Sequence, residues 1–394
     1  MHESLKRWPA IIVGGGVAGA VAAIQLARNG YEVLLLEKEE APHDKVCGEF
    51  IAAEAQRYFL DLGVDLATSG ARRIGHLALV HGQYAGVAKL ASPGLSLSRR
   101  ILDERLLCRA EECGAELQRG CLVTGVFKER HGWRIERANG APLLAKTLFM
   151  ATGKHDLRSW RRTGRHNDYI GFKQHLVLTE AQRFALADQI EMVLFAGGYA
   201  GLEPIEGQKA NLCLVVTKAE FGRHGKNWPS FMAALRQASP WLAGRLAGAR
   251  PVWPRPLSVY GIPYGFLYEP ARDAPDDLYR LGDQMAVIPS LSGQGLSIAA
   301  HTALAAVEAF RHSDARTYHR RMRSDLGLLV RAASLVAGIS EHVLVQKALV
   351  STCRRWPKLV TKLAGCNRIS TAAGLGHHAP RNARGQLSAG KVEI

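Results

Sequence analysis

The sequence lacks several features that assign proteins to common classes. It contains no run of about 18 apolar residues, so no membrane-spanning helix is expected. Its first eight residues have no apolar signal segment, which predicts a cytoplasmic protein. The seven cysteines form no C-x-x-C pair, so we expect reduced thiols. No Ser/His/Asp set and no metal-ligand spacing stands out, which argues against a hydrolase or a metalloenzyme.

Acidic residues are scarce. The chain has 35 Asp and Glu against 51 Lys and Arg, giving a net charge of +16. Residues 316–394 hold 14 basic and three acidic residues. Such a region could contact an anionic inner membrane surface or an acidic carrier protein, although a solvated basic surface has the same composition. We find no nucleic-acid-binding motif, so nucleic acid is not expected as a partner.

The clearest positive pattern is a strand–glycine–helix–strand unit near the N-terminus. Apolar residues 11–13 end a strand, residues 17–28 have helical spacing, and a second strand, residues 31–36, ends at Glu37. This is a β-α-β unit with G-x-G-x-x-G at its first turn and an acid about 20 residues later. Gly14 permits the turn, Gly16 lets the backbone approach a pyrophosphate, and Gly19 allows close helix packing. Glu37 would accept hydrogen bonds from a ribose, so the sequence predicts a dinucleotide site.

A second informative stretch lies between residues 278 and 297. A short apolar strand ends at Gly282-Asp283, and Gly293-Gln294-Gly295 precedes a helix over residues 297–311. A carboxylate at a strand end can accept a hydrogen bond from a polyol, and a helix start offers free N–H groups. These two features suit the ribityl chain and the pyrimidine carbonyl of a flavin.

With Ser98-Arg99 before a further helix, these motifs resemble the FAD-dependent oxidoreductases of the aromatic hydroxylase superfamily, over about residues 9–311. The resemblance implies an α/β fold, in which a Rossmann-like (GR2-type) FAD-binding domain carries an antiparallel β-sheet substrate domain. Because only one dinucleotide fingerprint is present, NAD(P)H would bind briefly, or a separate reductase would supply electrons. By similarity, the residues that hold FAD would be Gly14, Gly16, Val17, Ala18, Gly19, Glu37, Lys38, Cys47, Arg99, Gly282, Asp283, Gly295 and Leu296.

Within this superfamily the sequence is most similar to the geranylgeranyl reductase-like branch. Residues 45–49 resemble its Cys-Gly-Gly loop, with Glu49 in place of the second glycine. Residues 199–204 fall where that branch has Tyr-x-Trp-x-Phe-Pro, but Gly201 and Glu203 replace the Trp and Phe that flank an isoprenoid chain. These departures favour a monooxygenase acting on an apolar phenolic or polyketide-like molecule. The Cys47-Gly48 pair favours the alternative, a double-bond reductase acting on an isoprenoid or lipid.

Two further classes of protein are a flavin-binding sensor and a flavin halogenase. A flavin-binding sensor is the non-catalytic alternative, and it would hold FAD without substrate-dependent turnover. The absence of a Trp-x-Trp-x-Ile-Pro run counts against a flavin halogenase. The candidate catalytic residues are Cys47, Glu49, His175 and Tyr264, each of which could instead have a purely structural role.

The pattern of predicted elements divides the chain into four parts. We expect the FAD-binding domain in residues 1–165 and 275–312, and the β-sheet substrate domain in residues 166–274. A helical region would follow over residues 313–370, rich in basic side chains. Residues 371–394, rich in Gly, Ala, Arg and His, are expected to form a disordered tail.

Overall fold

The fold is described by a computed structural model that covers residues 6–158, 160–162 and 168–366, with the side chains of residues 363–366 left aside. The predicted tail, residues 371–394, and the expected domain boundary at residue 165 lie outside the described residues. The strands are β1 (Arg7–Val13), β2 (Val33–Leu36), β3 (Phe50–Ile51), β4 (Arg72–His81), β5 (Tyr84–Ser96), β6 (Glu116–Gln118), β7 (Val123–Glu129), β8 (Gly132–Arg137), β9 (Leu143–Met150), β10 (Tyr169–Val177), β11 (Gln189–Phe195), β12 (Gly198–Pro204), β13 (Lys209–Thr217), β14 (Arg250–Pro251), β15 (Leu257–Tyr260) and β16 (Leu278–Arg280).

The helices surround two sheets and include a continuous run at the C-terminal end. They are α1 (Val17–Arg28), α2 (Ala53–Asp61), α3 (Arg99–Glu112), α4 (Glu180–Leu186), α5 (Lys218–Arg223), α6 (Trp228–Ala238), α7 (Pro240–Arg245), α8 (Gly295–His312), α9 (Ala315–Ile339), α10 (Val343–Arg355) and α11 (Pro357–Cys366).

The first sheet has the strand order β6-β2-β1-β9-β8-β7, and β16 also pairs with β9. Strands β1, β2, β6, β9 and β16 are parallel, whereas β7 and β8 add an antiparallel hairpin at one edge. All four residues of β2 are buried. Helices α1, α3 and α8 cover one face of the sheet, and side chains of the β7–β8 hairpin cover the other. The predicted Rossmann-like β-α-β unit is confirmed.

The second sheet has the order β14-β10-β13-β12-β11-β4-β5-β3, with β15 also on β10. One face forms an apolar core with helices α4 to α7. The other face carries a mixed set of polar and apolar side chains, described below. Most neighbours are antiparallel, as predicted, but β11 pairs with β4 in parallel.

Two details of this sheet differ from the sequence-based expectation. Strands β3, β4 and β5 lie in the segment assigned to the FAD-binding domain, yet they belong to the second sheet because β4 pairs with β11. The glycine-rich run over residues 197–201 predicts a connection between two strands. Residues 198–204 instead form β12, which is paired on both sides by β11 and β13.

The C-terminal helices form the predicted helical region. Helix α9 contacts β16, while α10 and α11 pack along β5. In the described part of the chain, no single helix has the length and apolar character needed to cross a membrane. The pair α9 and α10, bent by 108° at their junction, passes that test together on length and composition alone.

Candidate functional site

The glycine turn between β1 and α1 is closed by contacts that leave no room for side chains. Gly14 has a φ of +108°, and a Cβ on it would lie 2.4 Å from the carbonyl oxygen of Ala151. A Cβ on Gly19 would lie 1.9 Å from the carbonyl oxygen of Gly14. Larger residues would therefore push α1 away from the sheet at this point.

Gly16 differs, because the space beside it is open and lined by cations. A Cβ on Gly16 would lie 3.6 Å from Arg99 Nη2 and 3.8 Å from Lys45 Nζ. Both cations contact the Asp103 carboxylate, at 2.7 Å from Arg99 Nε and 2.8 Å from Lys45 Nζ. Burial opposes the charge of Arg99, but Asp103 and the Cys47 thiol outweigh burial and raise the pKa of Arg99. We call Gly16, Lys45, Arg99 and Asp103 the cationic cradle.

The cationic cradle fits a pyrophosphate. Gly16 is the N-cap of α1 and supplies no side-chain cap, so the first backbone N–H groups of the helix remain available. A helix N-terminus and two fixed cations together form a strong anion site. FAD is a dinucleotide with a central pyrophosphate, and Gly16, Arg99 and Lys45 are the residues that would hold this part of it.

Glu37 lies directly under the glycine turn. Its carboxylate accepts hydrogen bonds from Gly15 N at 2.8 Å and from Glu39 N at 3.0 Å. A carboxylate has further lone pairs, so it can still accept a bond from a ribose hydroxyl. Lys38 is exposed and pairs with Glu39 at 3.3 Å. The contact between Glu37 and a ribose stays a prediction.

The second predicted flavin stretch meets the first in space. A Cβ on Gly282 would lie 3.1 Å from Ala18 Cβ, and Gly282 N donates to Thr302 Oγ1 on α8 at 2.9 Å. Asp283 is partly exposed beside this contact. At the start of α8, Gly295 is exposed, whereas Leu296, like Val17 on α1, is buried. The two stretches are thus adjacent, as one dinucleotide site requires.

A buried ionic cluster lies between the cationic cradle and the second sheet. We define it as Asp44, Glu49, Lys173 and His175. Lys173 Nζ donates to Glu49 Oε1 at 2.5 Å, and His175 Nε2 lies 2.8 Å from Glu49 Oε2. Glu49 also accepts from the backbone N of Arg99 at 2.7 Å, which connects this cluster to the cradle.

Glu49 is ionised at the centre of this cluster. Burial raises the pKa of its carboxyl, but the hydrogen bond from His175 and the charge of Lys173 outweigh burial and hold that pKa below its usual value. Glu49 has a φ of +63°, in the left-handed region that favours glycine. Glu49 is therefore held against its backbone preference, at a position where the resembling loop has glycine.

The same residues have the composition of a metal site. One ligand atom each from Asp44, Glu49 and His175 lies within 4.8 Å of the others. Lys173 Nζ, however, bonds Glu49 and lies 3.6 Å from Asp44 Oδ1. The ammonium group therefore already provides the positive charge that a metal ion would supply, and these residues are better described as an ion-pair cluster than as a metal site.

A neutral acid lies next to the ionic cluster on the same sheet face. Glu203 on β12 is opposite Asn211 on β13, and Asn211 is opposite His175 on β10. Burial, with the charge of Glu49 and the nearby Cys47, raises the pKa of Glu203 well above its usual range. The side chains of Asn211 and Ser96 lie beside the Glu203 carboxyl, and their hydrogen bonding lowers this pKa without outweighing burial.

The loop that contains Cys47 covers this acid. Asn211 Nδ2 donates to the carbonyl oxygens of Cys47 and Gly48, at 3.2 and 3.0 Å. The Cys47 sulfur accepts a hydrogen bond from Glu49 N at 3.3 Å. Cys47 is therefore close to the neutral acid and to Arg99.

Further along the same face the lining becomes apolar. Tyr264 Oη and Ser290 Oγ are 2.7 Å apart, and the buried Tyr199 hydroxyl lies beside both. Burial raises the pKa of Tyr264 to about 12, so its side chain packs and hydrogen-bonds as a neutral phenol. The surrounding side chains are Met192, Leu194, Val215, Ile262, Phe266 and Val287.

The structure thus brings three of the four candidate catalytic residues, Cys47, Glu49 and His175, into one region, with Tyr264 in the apolar part of the same sheet face. The sequence analysis missed Lys173. Its position two residues before His175 on a strand could have predicted a shared face. The neutral state of Glu203 had no such signal, because it depends on burial beside Glu49.

The chain is similar to known proteins both in sequence and in fold. Residues 12–72 match the family model described as "NAD(P)-binding Rossmann-like domain". The chain is 24% identical to the menaquinone reductase of Mycolicibacterium smegmatis, over 76% of this chain and 75% of the relative. It is 27% identical to digeranylgeranylglycerophospholipid reductase 2 of Methanopyrus kandleri, over 75% and 73%. The structure of the flavin-dependent brominase Bmp2 matches with a TM-score of 0.74, at 19% identity, covering 92% of this chain and 93% of that one.

The two-sheet architecture and the cationic cradle are those of a dinucleotide-binding α/β protein. The likenesses to these relatives support the prediction of an FAD-dependent oxidoreductase, and the cationic cradle fits the pyrophosphate of FAD. The roles of individual site residues stay predictions.

Proposed function

We propose that this protein is an FAD-dependent reductase that adds two hydrogens to a double bond of an apolar, lipid-like molecule. The observation that carries the proposal is Glu203, a buried carboxyl group beside the ionic cluster whose pKa lies well above its usual range, so that it holds a proton. The surroundings of Glu203 raise the pKa of its carboxyl, whereas those of Glu49 lower the pKa of its carboxyl. Two neighbouring carboxyl groups with pKa values shifted in opposite directions are typical of acid–base pairs in active sites. The two reductases named above match over about three quarters of this chain.

Adding two hydrogens to a double bond needs a hydride at one carbon and a proton at the other. Reduced FAD, when bound, supplies the hydride equivalent. Glu203 holds a proton on its carboxyl group in a buried position, ready to be donated to the second carbon. After donation Glu203 would be an anion next to the anionic Glu49, so it would regain a proton from solvent readily.

The other residues of the face would position the substrate. Asn211 and Ser96 lie beside Glu203, and their side-chain oxygens can accept hydrogen bonds from a polar headgroup. The apolar cluster around Tyr264 can hold an attached hydrocarbon chain. The electron donor would be NAD(P)H that binds briefly or a separate reductase.

A monooxygenase is the second candidate, and Gly201 favours it. At this position β12 has no side chain, so the Trp that lines an isoprenoid chain in the resembling branch is missing. The same face, polar near Glu203 and apolar near Tyr199, could bind the hydroxyl and the ring or chain of an apolar phenol.

Product mass distinguishes the two reactions. The protein, reduced anaerobically with dithionite, would be mixed with a short-chain menaquinone, and the product would then be reoxidised in air so that any menaquinol returns to the quinone. The reoxidised product should still carry two extra hydrogens in its side chain. Glu203→Gln keeps the size of the side chain but removes the proton, so the rate should fall by about 100-fold or more while flavin content is unchanged. Glu180→Gln, an exposed acid on α4, is the matched control.

For the second candidate, the protein would be supplied with NADPH, a long-chain alkylphenol and ¹⁸O₂. Incorporation of labelled oxygen, without any anaerobic gain of hydrogen by the quinone, would replace the reductase by the monooxygenase. A Glu203→Gln variant as fast as the unmodified protein in the reductive assay would remove the proposed role of Glu203.

A further inference from the structure

The C-terminal half of α9 presents apolar side chains to the outside. Leu328, Ala332, Leu335 and Ile339 follow each other at helical spacing, so they form one stripe along the helix. The side chains of Leu328 and Leu335 are 80% and 67% exposed. Surface helices normally bury such a stripe and expose polar residues instead.

The stripe continues across the bend into α10. Val343 and Leu344 begin that helix, and Leu344 is 80% exposed. We define the apolar corner as Leu328, Leu335, Val336, Ile339, Val343 and Leu344, all of which are exposed.

Polar side chains at this bend point inward instead. Gln346 is fully buried, and its Nε2 donates to the carbonyl oxygens of Phe195 and Ser340 at 2.8 Å each. Ser340 is also buried, and Glu341 is hydrogen-bonded to the Tyr169 hydroxyl. The bend is therefore anchored to the second sheet by polar groups while its apolar groups face outward, the reverse of a solvated corner.

The charges around the apolar corner are of one sign. Between residues 326 and 362 the only acidic residue is Glu341, which is paired with Tyr169. The exposed cationic side chains in that range are Arg331, Lys347, Arg354, Arg355, Lys358 and Lys362. A second copy of the chain would bring the same positive charges to the contact, so the surface fits an anionic partner better than itself.

We propose that the apolar corner docks this protein onto an anionic phospholipid bilayer. Leucine and isoleucine side chains that project from a helix can enter the boundary between headgroups and acyl chains, and basic residues beside them attract anionic lipids. Trp356 and Leu359, exposed at the start of α11, are further residues of the kind found at such interfaces. This inference rests on the surface alone and is independent of the proposed reaction.

Vesicle sedimentation tests the proposal. The full-length flavoprotein would be mixed with vesicles of phosphatidylcholine, with or without phosphatidylglycerol, and we expect it to sediment only with the anionic vesicles and to be released by salt. Leu335→Ser/Leu344→Ser should lower the vesicle-bound fraction about tenfold or more, because two exposed apolar anchors are lost. Arg331→Gln/Lys347→Gln should weaken binding to the anionic vesicles to a similar extent.

Matched controls lie elsewhere on the surface. Phe184→Ser removes an 85% exposed apolar side chain on α4, and Lys146→Gln removes an exposed charge on β9. Both should bind vesicles like the unmodified protein, and all variants should retain flavin. Unmodified protein that stays in the supernatant with anionic vesicles, or a double leucine variant that sediments fully, would overturn the proposal. So would a dimer in light scattering that the leucine substitutions dissociate, or binding to an acidic acyl carrier protein without vesicle binding.

Discussion

At the scale of single residues, Glu49 shows how a strained position can be held by charge. A left-handed φ costs a residue with a Cβ about 1 kcal/mol or more, which glycine avoids. The Glu49 carboxylate contacts Lys173, His175 and the Arg99 amide, and these bonds offset that cost. The same contacts give the Lys173 amine its partners in a position with no exposed surface.

Breaking this pair on one side should be far worse than removing both charges. Lys173→Met leaves the buried Glu49 carboxylate without its cation, so we expect the free energy of unfolding to fall by about 3–5 kcal/mol. The double variant Glu49→Gln/Lys173→Met should be more stable than Lys173→Met alone. Urea unfolding of the single and double variants measures both values.

Lys146→Met is the matched control, since Lys146 is exposed, and it should change stability by less than about 0.5 kcal/mol. If the double variant lost as much stability as the two single variants together, Glu49 and Lys173 would not act as a pair.

At the scale of elements, the turn between β1 and α1 separates folding from cofactor binding. A side chain at Gly19 would clash with the Gly14 backbone, whereas a side chain at Gly16 would meet only ordinary contacts with Arg99 and Lys45. The two glycines therefore have different tasks in one motif. Gly19 serves the packing of the helix, and Gly16 keeps the anion site open.

Gly16→Val should consequently fold but lose its flavin. The valine side chain would fill the cationic cradle, so the purified variant should be colourless while its circular dichroism resembles that of the unmodified protein. Gly222→Val on α5, where a Cβ meets nothing within 4 Å, should remain yellow. A Gly16→Val protein with stoichiometric FAD would show that the pyrophosphate binds elsewhere.

The contrast between α1 and β12 explains what the sequence could predict. The glycine turn, α1 and β2 follow from residues adjacent in the chain, so local spacing was sufficient. Strand β12 contains Gly198 and Gly201, which suggested a connection, and only its pairing with β11 and β13 makes it a strand. Likewise, the contact of Glu49 with Lys173 spans 124 positions and depends on how the two sheets approach each other.

At the scale of the whole molecule, α9 is attached to the first sheet through a buried histidine. His319 Nε2 accepts a hydrogen bond from the backbone N of Arg280 on β16 at 3.3 Å. Burial, aided by the charge of Arg280, lowers the pKa of His319 to about 3. The folded protein therefore holds this imidazole neutral.

This histidine should make stability depend on pH. The unfolded chain binds a proton at His319 below a pH of about 6.5, while the folded chain does not until a pH of about 3. The stabilisation is thus complete above about pH 6.5 and is lost as the pH falls, by about 2 kcal/mol at pH 5. Urea unfolding at pH 7 and pH 5 should show a smaller difference for His319→Gln than for the unmodified protein.

His312→Gln, an exposed histidine at the end of α8, is the control and should leave the pH dependence unchanged. An equal loss of stability in His319→Gln and the unmodified protein would assign the acid sensitivity to other groups.

The parallel pairing of β4 with β11 also has a consequence for how the chain is made. On the ribosome, β4 emerges more than 100 residues before its partner β11, and the first sheet awaits β16 and α8 from residues 278–312. Neither sheet can be completed until its later strands have been synthesised, so the nascent protein exposes unpaired strand edges through most of its synthesis. Production in cells should therefore depend on chaperone supply and translation speed more than the stability of the finished enzyme would suggest.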